Sequence, residues 1–316
     1  MTVSVAIAAY RGERFIGEQL ASIAGQTVVP DEVVICDDSP DEFTQNEVHK
    51  FEDLLNIRYF RNSSPLGVAA NFNKALSFAS GDVVFLCDQD DLWYPHKVSE
   101  MMKFFLSGAQ AVFCDSDITD ADANPSASTH FQSRGMAFMR HLPAGKWEDQ
   151  FSVSCRRFPA AGHDMALSRS LLQKLLPVPE IPACHDNYLG LAAAAFDCWT
   201  LIPESLGIFR RHDASASQAG KFLSLLDKFH EAKVSIRNDS FGWNVRLFEE
   251  VLHRFPELPA ARRELLAARI SHSAARARMN CRFFSRLPLI WHELHSGGYF
   301  RFGRGWKNVV QDLFLR

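Results

Sequence analysis

"GDVVFLCDQDDLW", residues 81–93, decides the fold. An apolar run with no polar alternation, Val83 to Cys87, stops abruptly at Asp88-Gln89-Asp90-Asp91. Such a run reads as a strand covered on both faces, the habit of parallel sheets. Three carboxylates in four positions repel one another, so the turn is either solvated or holds a cation. The apolar strand that ends in acid recurs in "DEVVICDD" (31–38), with Asp37-Asp38, and in "AQAVFCDSD" (109–117), with Asp115-Ser116-Asp117. "VSVAIAAY" (3–10) and the shorter "IRYFRN" (57–62) supply two further strands.

Helical spacing fills the intervals. Ile16, Leu20, Ile23 and Ala24 share one face, as do Phe72, Leu76 and Ala79, and then Val98, Met102 and Phe105 in a helix opened by Pro95. This βαβα alternation predicts an α/β fold, a mainly parallel sheet flanked by helices. Between 118 and 160 the periodicity fades into a long loop, and regular patterning returns over 161–212. After "RRHDASASQAGK" (210–221) the chain turns to helices rich in Arg, His and Phe. The expected division is therefore an α/β domain over 1–220 and a helical C-terminal appendage over 221–316.

Charge follows the same division. Residues 221–316 hold 17 Lys+Arg against 9 Asp+Glu, leaving 17 against 28 in residues 1–220, within a net charge of -3. The overall balance argues against nucleic acid as the main partner, and a basic tail suits an anionic surface. The seven cysteines are scattered and odd in number, which points to a reducing, cytoplasmic setting. "MTVSVAIAAY" lacks the basic start of a signal peptide, and no stretch has the length of a charge-free membrane span.

In an open parallel sheet, ligands gather at the carboxyl ends of the strands. Acidic residues there do not hold phosphate directly, but they hold a divalent cation that does, or accept hydrogen bonds from a base or sugar. Asp88 and Asp90, one residue apart in an extended segment, project to one side as a metal clamp. The plainer reading makes Asp90 or Asp91 the N-cap of the helix after Pro95. Asp115 and Asp117 repeat the spacing without the Gly and Glu of a calcium loop and read as loop residues.

Five segments occur in order: "AAYRGERFIGEQLASIAGQT" (8–27), "VVICDDSPDE" (33–42), "NSSPLGVAANFNKALSFASGDVVFLCDQDDLWYPHKV" (62–98), "CHDNYLGL" (184–191) and "FRRHDAS" (209–215). Together they resemble the family 2 glycosyltransferases, and within them the rhamnosyltransferase-like branch of bacterial surface polysaccharide assembly. The resemblance covers about the first 220 residues. It implies a GT-A fold, a divalent cation (Mg²⁺ or Mn²⁺), and inverting transfer from a nucleoside-diphosphate sugar, dTDP-rhamnose or a UDP-sugar, to a glycan or lipid-linked glycan. By the same resemblance Tyr10 packs near the base or ribose, and Asp37 or Asp38 hydrogen-bonds the pyrimidine. Asp88 faces ribose or metal, Asp90 and His212 face the cation, and Arg210 and Arg211 face the diphosphate. Asp186 becomes the general base, with His185 as its orienting neighbour. "AGHDM" (161–165) departs from the family pattern and makes His163-Asp164 a rival pair, and Arg11 stands where relatives more often have Asn. Lys97 and Trp93 read as structural, Lys97 on a solvated face.

The tail contains "LPAARRELLAARISHSAARARMNCRFFSRLPLIW", basic with Phe and Trp interleaved. Such helices pack on the catalytic domain, pack on a second subunit of a homo-oligomer, or lie on an anionic bilayer as a peripheral contact. Two other functions compete with the transferase. One is a catalytically silent nucleotide-sugar binding or scaffold protein. The other is a sugar nucleotidyltransferase, which wants a Gly-rich phosphate loop where "AAYRGERF" offers only Gly12.

Overall fold

The computed structural model describes residues 1–122, 124–181, 185–212 and 240–314. The chain divides into two compact units, Met1–Gln150 with Pro159–Gly220, and Phe151–Phe158 with Lys221–Arg316. Cys184 and the stretch 213–221 lie outside the described residues.

In the first unit the described strands are β1 (Val3–Ala9), β2 (Glu32–Asp37), β3 (Ile57–Arg61), β4 (Val83–Asp88), β5 (Leu92–Trp93), β6 (Ala111–Thr119), β7 (Pro125–Thr129), β8 (Gly145–Lys146), β9 (Met165–Ser168) and β10 (Trp199–Arg210). They form one sheet in the order β3-β2-β1-β4-β9-β6-β10-β5, with β7 on β6 and β8 on β10. The first four in that order are parallel. Asp37 pairs with Ala9 and Asp88 with Ala8, so both acids emerge together at the carboxyl edge. β9 runs antiparallel between β4 and β6.

The central strands β1, β2 and β4 are apolar because both faces are covered; β2 is buried along its whole length. Helix α1 (Ile16–Ala24) buries Ile16, Leu20 and Ile23; α2 (Phe43–His49) buries Val48; α3 (Val68–Phe78) buries Phe72 and Leu76; α4 (Lys97–Leu106) buries Val98, Met102 and Phe105. Each such side chain contributes about 1.5–3 kcal/mol on leaving water. The α/β sheet flanked by helices stands as the pattern implied.

Two local readings change. Asp115 and Asp117 are not in a loop, because β6 continues through them to Thr119 against β10. The stretch 118–160 carries β7, β8 and the short helices His130–Ser133 and Gln150–Ser154. Its periodicity was too brief to register.

The second unit holds helices Ser240–Arg254, Ala260–Arg278, Phe283–His295, Gly298–Phe302 and Trp306–Phe314. Met279, Ile290, Tyr299 and Val309 form a small core. Beside it Arg276 Nε donates to Asp312 Oδ2 at 2.8 Å, and Tyr299 Oη donates to the same oxygen at 2.9 Å. No helix among the described residues is long and apolar enough to cross a membrane.

Candidate active site

The carboxyl edge of β1, β2 and β4 assembles the first group of residues. Tyr10 is half exposed just past β1, and its ring lies 5.6 Å from the Arg11 guanidinium. Gln89 grips the Tyr10 backbone from both sides: Tyr10 N donates to Gln89 Oε1 and Gln89 Nε2 donates to Tyr10 O, each at 2.9 Å. Arg11 takes a left-handed backbone (φ 48°), and its N–H donates to Ser39 Oγ at 2.8 Å. A Cβ at Gly12 would sit 2.3 Å from Gln89 Oε1, so a larger residue there would push the Gln89 amide off the Tyr10 backbone.

Asp37 and Asp38 are both buried and already engaged. Asp37 accepts from Ser39 N and Ser39 Oγ through one oxygen and from the Tyr59 hydroxyl through the other. Asp38 accepts from Asn62 Nδ2 at 2.7 Å and from Gly67 N at 2.8 Å. A carboxylate has about four acceptor sites, so each keeps capacity for at least one more donor. What the arrangement secures first is the shape of the edge.

Residues 88–91 divide their acids among different partners. Asp90 Oδ2 lies 2.8 Å from His212 Nε2. Asp88 and Asp91 instead face His163, whose Nδ1 is 3.7 Å from Asp88 Oδ2 and 3.6 Å from Asp91 Oδ2. The Asp88 side chain is 35% exposed, Asp91 only 2%. Burial pushes the Asp91 carboxyl well up, and burial together with the Asp88 charge raises that of Asp90. Burial works the same way on Asp88, but the neighbouring His163 outweighs it and holds Asp88 below the usual carboxylate range.

The helix-cap reading of this cluster fails. α4 begins at Lys97 after His96, with no side-chain cap. Asp91 Oδ1 accepts the backbone N–H of Arg210, at the end of β10, at 2.9 Å.

His163-Asp164 is the largest feature that the sequence left unresolved. Asp164 is buried and ringed by donors: His163 Nε2 at 2.9 Å, Ser116 Oγ at 2.8 Å and Lys97 Nζ at 3.3 Å. His130, also buried, places Nδ1 3.9 Å from Asp164 Oδ2. Lys97 is not on a solvated face. It is 2% exposed, its Nζ donates to His163 O at 2.8 Å, and it lies 5.1 Å from the Trp93 ring centre. A buried ammonium is tolerable only with such partners.

The residues that close and follow β10 are split as well. Arg210 is buried, donates from Nη2 to Glu18 Oε2 at 2.5 Å and stacks on Phe15. Arg211 is half-buried; its N–H donates to Thr119 O and its guanidinium lies 6.0 Å from the Phe209 ring. His212 lies against Phe15, ring centres 4.5 Å apart.

Asp186 stands in the first turn of the helix His185–Ala195, half-buried, and accepts from Asn187 N at 2.7 Å. Its charge acts on the Arg134 guanidinium, whose pKa burial lowers and Asp186 supports. His185 does not bond Asp186. Its ring stacks on Phe72 at 4.0 Å, and both ring nitrogens are buried with no hydrogen-bond partner among the described residues. Gln89, His130 and Arg134 gave no sequence signal; His163 did, through the departure at 161–165.

A divalent cation fits this edge. The donors are hard carboxylate oxygens with imidazole nitrogens beside them, and Asp91 Oδ2 is buried with no hydrogen-bond partner among the described residues.

Residues 4–176 match the family model described as glycosyl transferase family 2. The chain belongs to that family. An uncharacterised protein of Mycobacterium tuberculosis is 26% identical over 224 residues, 66% of this chain and 59% of that protein. The UDP-Glc:alpha-D-GlcNAc-diphosphoundecaprenol beta-1,3-glucosyltransferase WfgD of Escherichia coli is 31% identical over 104 residues, 33% of this chain and 41% of its own length. The chain thus spans under two thirds of the length of these curated relatives. Among solved structures, Staphylococcus aureus TarS 1-349 in complex with UDP-GlcNAc superposes with a TM-score of 0.58 at 16% identity, over 100% of this chain and 93% of that one. The mannosyltransferase PcManGT of Pyrobaculum calidifontis, in complex with GDP-Man and Mn²⁺, gives 0.53 at 18% identity, over 99% and 84%. These two likenesses carry the GT-A fold.

Proposed function

We propose that this family 2 chain is an inverting, cation-dependent glycosyltransferase. It takes a sugar, rhamnose being the first candidate, from a nucleoside-diphosphate donor to a glycan or lipid-linked glycan acceptor in surface polysaccharide synthesis. The observation that carries the reading is the pairing of Asp90 with His212 at 2.8 Å beside Asp88, which gathers carboxylates and imidazole at the edge where such sheets bind nucleotides. The relatives support it by name: one uses UDP-Glc and a diphosphoundecaprenol-linked acceptor, and two structural neighbours hold UDP-GlcNAc or GDP-Man.

In the proposed reaction the acceptor hydroxyl attacks the anomeric carbon as the bond to the diphosphate breaks, and Asp186 takes the hydroxyl proton. Asp186 suits the role better than Asp164, since it is half-buried and carries one hydrogen bond. Asp164 is enclosed by His163, Ser116 and Lys97. Tyr10, Asp37 and Asp38 shape the nucleotide end, Arg211 adds positive charge near the diphosphate, and Arg210 holds the loop through Glu18. Asp88, Asp90 and His212 would hold the cation, which supplies charge against the departing diphosphate.

The test is calorimetric titration with dTDP, UDP and GDP, each with and without Mn²⁺ or Mg²⁺, on wild type and Asp90→Ala. Cation-dependent binding of one diphosphate, lost in the variant, is expected and names the donor class. Folded protein that binds none of the three would overturn the transferase reading in favour of a silent scaffold.

A further inference from the structure

We propose that His163 and Asp91 join Asp88 as a cation site, giving this chain an imidazole ligand from the 161–165 turn in addition to Asp90 and His212. The inference rests on the reading of this edge as a nucleotide-sugar site. His163 Nε2 faces the Asp164 carboxylate at 2.9 Å, which places the other ring nitrogen, Nδ1, toward Asp88 and Asp91. That is the carboxylate–histidine arrangement that orients a metal-bound imidazole.

The spacing separates a metal from a proton. At 3.6 and 3.7 Å, Nδ1 is too far from either carboxylate for a normal N–H···O bond. Ligands held at about 2.1 Å around an ion lie roughly 3.0 Å apart in an octahedron and about 3.4 Å in a tetrahedron. The observed spans, 3.6 and 3.7 Å, would therefore close by about 0.2–0.3 Å for a tetrahedral set and about 0.6–0.7 Å for an octahedral one. Asp91 adds the independent sign: Oδ1 is used by Arg210 N, whereas Oδ2 is buried with no hydrogen-bond partner among the described residues. A buried carboxylate oxygen left unpaired is costly, and a cation between it and His163 removes the cost. The mixed nitrogen and oxygen set favours Mn²⁺ over Mg²⁺.

The experiment is titration of Mn²⁺ alone into nucleotide-free protein, read by calorimetry and by the nitrogen coupling in the Mn²⁺ electron spin echo. Expected are binding without nucleotide, a nitrogen coupling that persists in His212→Gln, and an affinity at least about tenfold weaker in His163→Gln. Thermal unfolding checks that each variant is folded, and the His212→Gln spectrum decides the matter even if His163→Gln does not fold. Loss of the coupling in His212→Gln, or absence of Mn²⁺ binding in a protein that still binds a diphosphate, overturns the inference and leaves the transferase reading intact. Failure of every diphosphate to bind removes that reading first.

An independent observation lies in the second unit. Helix Phe283–His295 buries Arg286, Ile290 and Glu293 and turns Phe284, Leu287 and Trp291 outward. Helix Trp306–Phe314 buries Val309 and Asp312 and turns Trp306, Val310 and Phe314 outward. Residues three and four apart share a face, so each helix shows solvent an apolar stripe, and the groove between them is lined by Phe284, Trp291, Trp306 and Leu313. Phe284 is 80% exposed, Trp291 and Trp306 65% each, and Phe314 70%.

The exposed Lys, Arg, Asp and Glu side chains of residues 282–314 have one sign. Glu293 and Asp312 are buried and held by His272 and Arg276, while Arg282, Arg301, Arg304 and Lys307 are exposed. We infer that the face docks on an anionic lipid surface, Trp and Phe entering the headgroup layer and the bases meeting the lipid charge. Co-sedimentation with vesicles tests it. The full chain should bind phosphatidylcholine vesicles containing phosphatidylglycerol, and at least about tenfold less well after Trp291→Ser/Trp306→Ser or in high salt. Equal binding to purely zwitterionic vesicles, no vesicle binding, or a dimer in ultracentrifugation that the same substitutions dissolve overturns the inference.

Discussion

His212 Nε2 lies 2.8 Å from Asp90 Oδ2, joining positions 122 residues apart in the chain. If the two act as one unit on the donor, Asp90→Ala and His212→Ala should each lower kcat/KM by about a hundredfold. The double variant should be no worse than the more damaging single change, since groups within one network are non-additive. Steady-state kinetics of the four proteins check this; strictly multiplicative losses would show that the pair does not work together.

Asp186→Asn separates enzyme from scaffold. A general base contributes about 10²–10⁴ in rate. The variant should therefore lose transfer by about that factor and bind the diphosphate as the wild type does. Unchanged transfer would move the base elsewhere.

Lys97→Met removes the ammonium that donates to His163 O and Asp164 Oδ1 inside the first unit. Breaking a buried pair from one side costs about 3–5 kcal/mol. Urea unfolding should show a loss of that order, partly recovered in Lys97→Met/Asp164→Asn. A loss below about 1 kcal/mol would place Lys97 on a wet face after all.

Glu32 gives a pH signature. Burial works to raise its pKa, but donors from Ser4, Ser80 and Arg58 outweigh it and bring the value down to about 2. The unfolded carboxylate takes up a proton first as the pH falls, so the stabilisation is complete above about pH 5 and is lost between there and pH 2. The advantage of wild type over Glu32→Gln in urea unfolding should shrink by about 2 kcal/mol between pH 6 and pH 3. A constant difference would mean that Glu32 is not held in this network.

The sequence by itself determined the layers of the first unit. Apolar runs without alternation made the buried strands β1, β2 and β4, and Ile16-Leu20-Ile23 made the face of α1, because periodicity records which side of an element leaves water. It also fixed that acids end β2 and β4 at one edge, since parallel strands share a direction. Only the tertiary structure decided what each acid meets. Asp38 turns to Asn62, 24 residues on, Asp91 to the backbone of Arg210, 119 residues on, and Lys97 inward to His163, 66 residues on. A burial pattern carries no record of partners brought together by crossovers. It could not tell a cap from a strand tie at Asp91, or a wet lysine from a buried one at Lys97. His163 was visible only as a departure from pattern, and it took the packing of the 161–165 turn against β4 and the 88–91 loop to set its ring between Asp164 and two carboxylates.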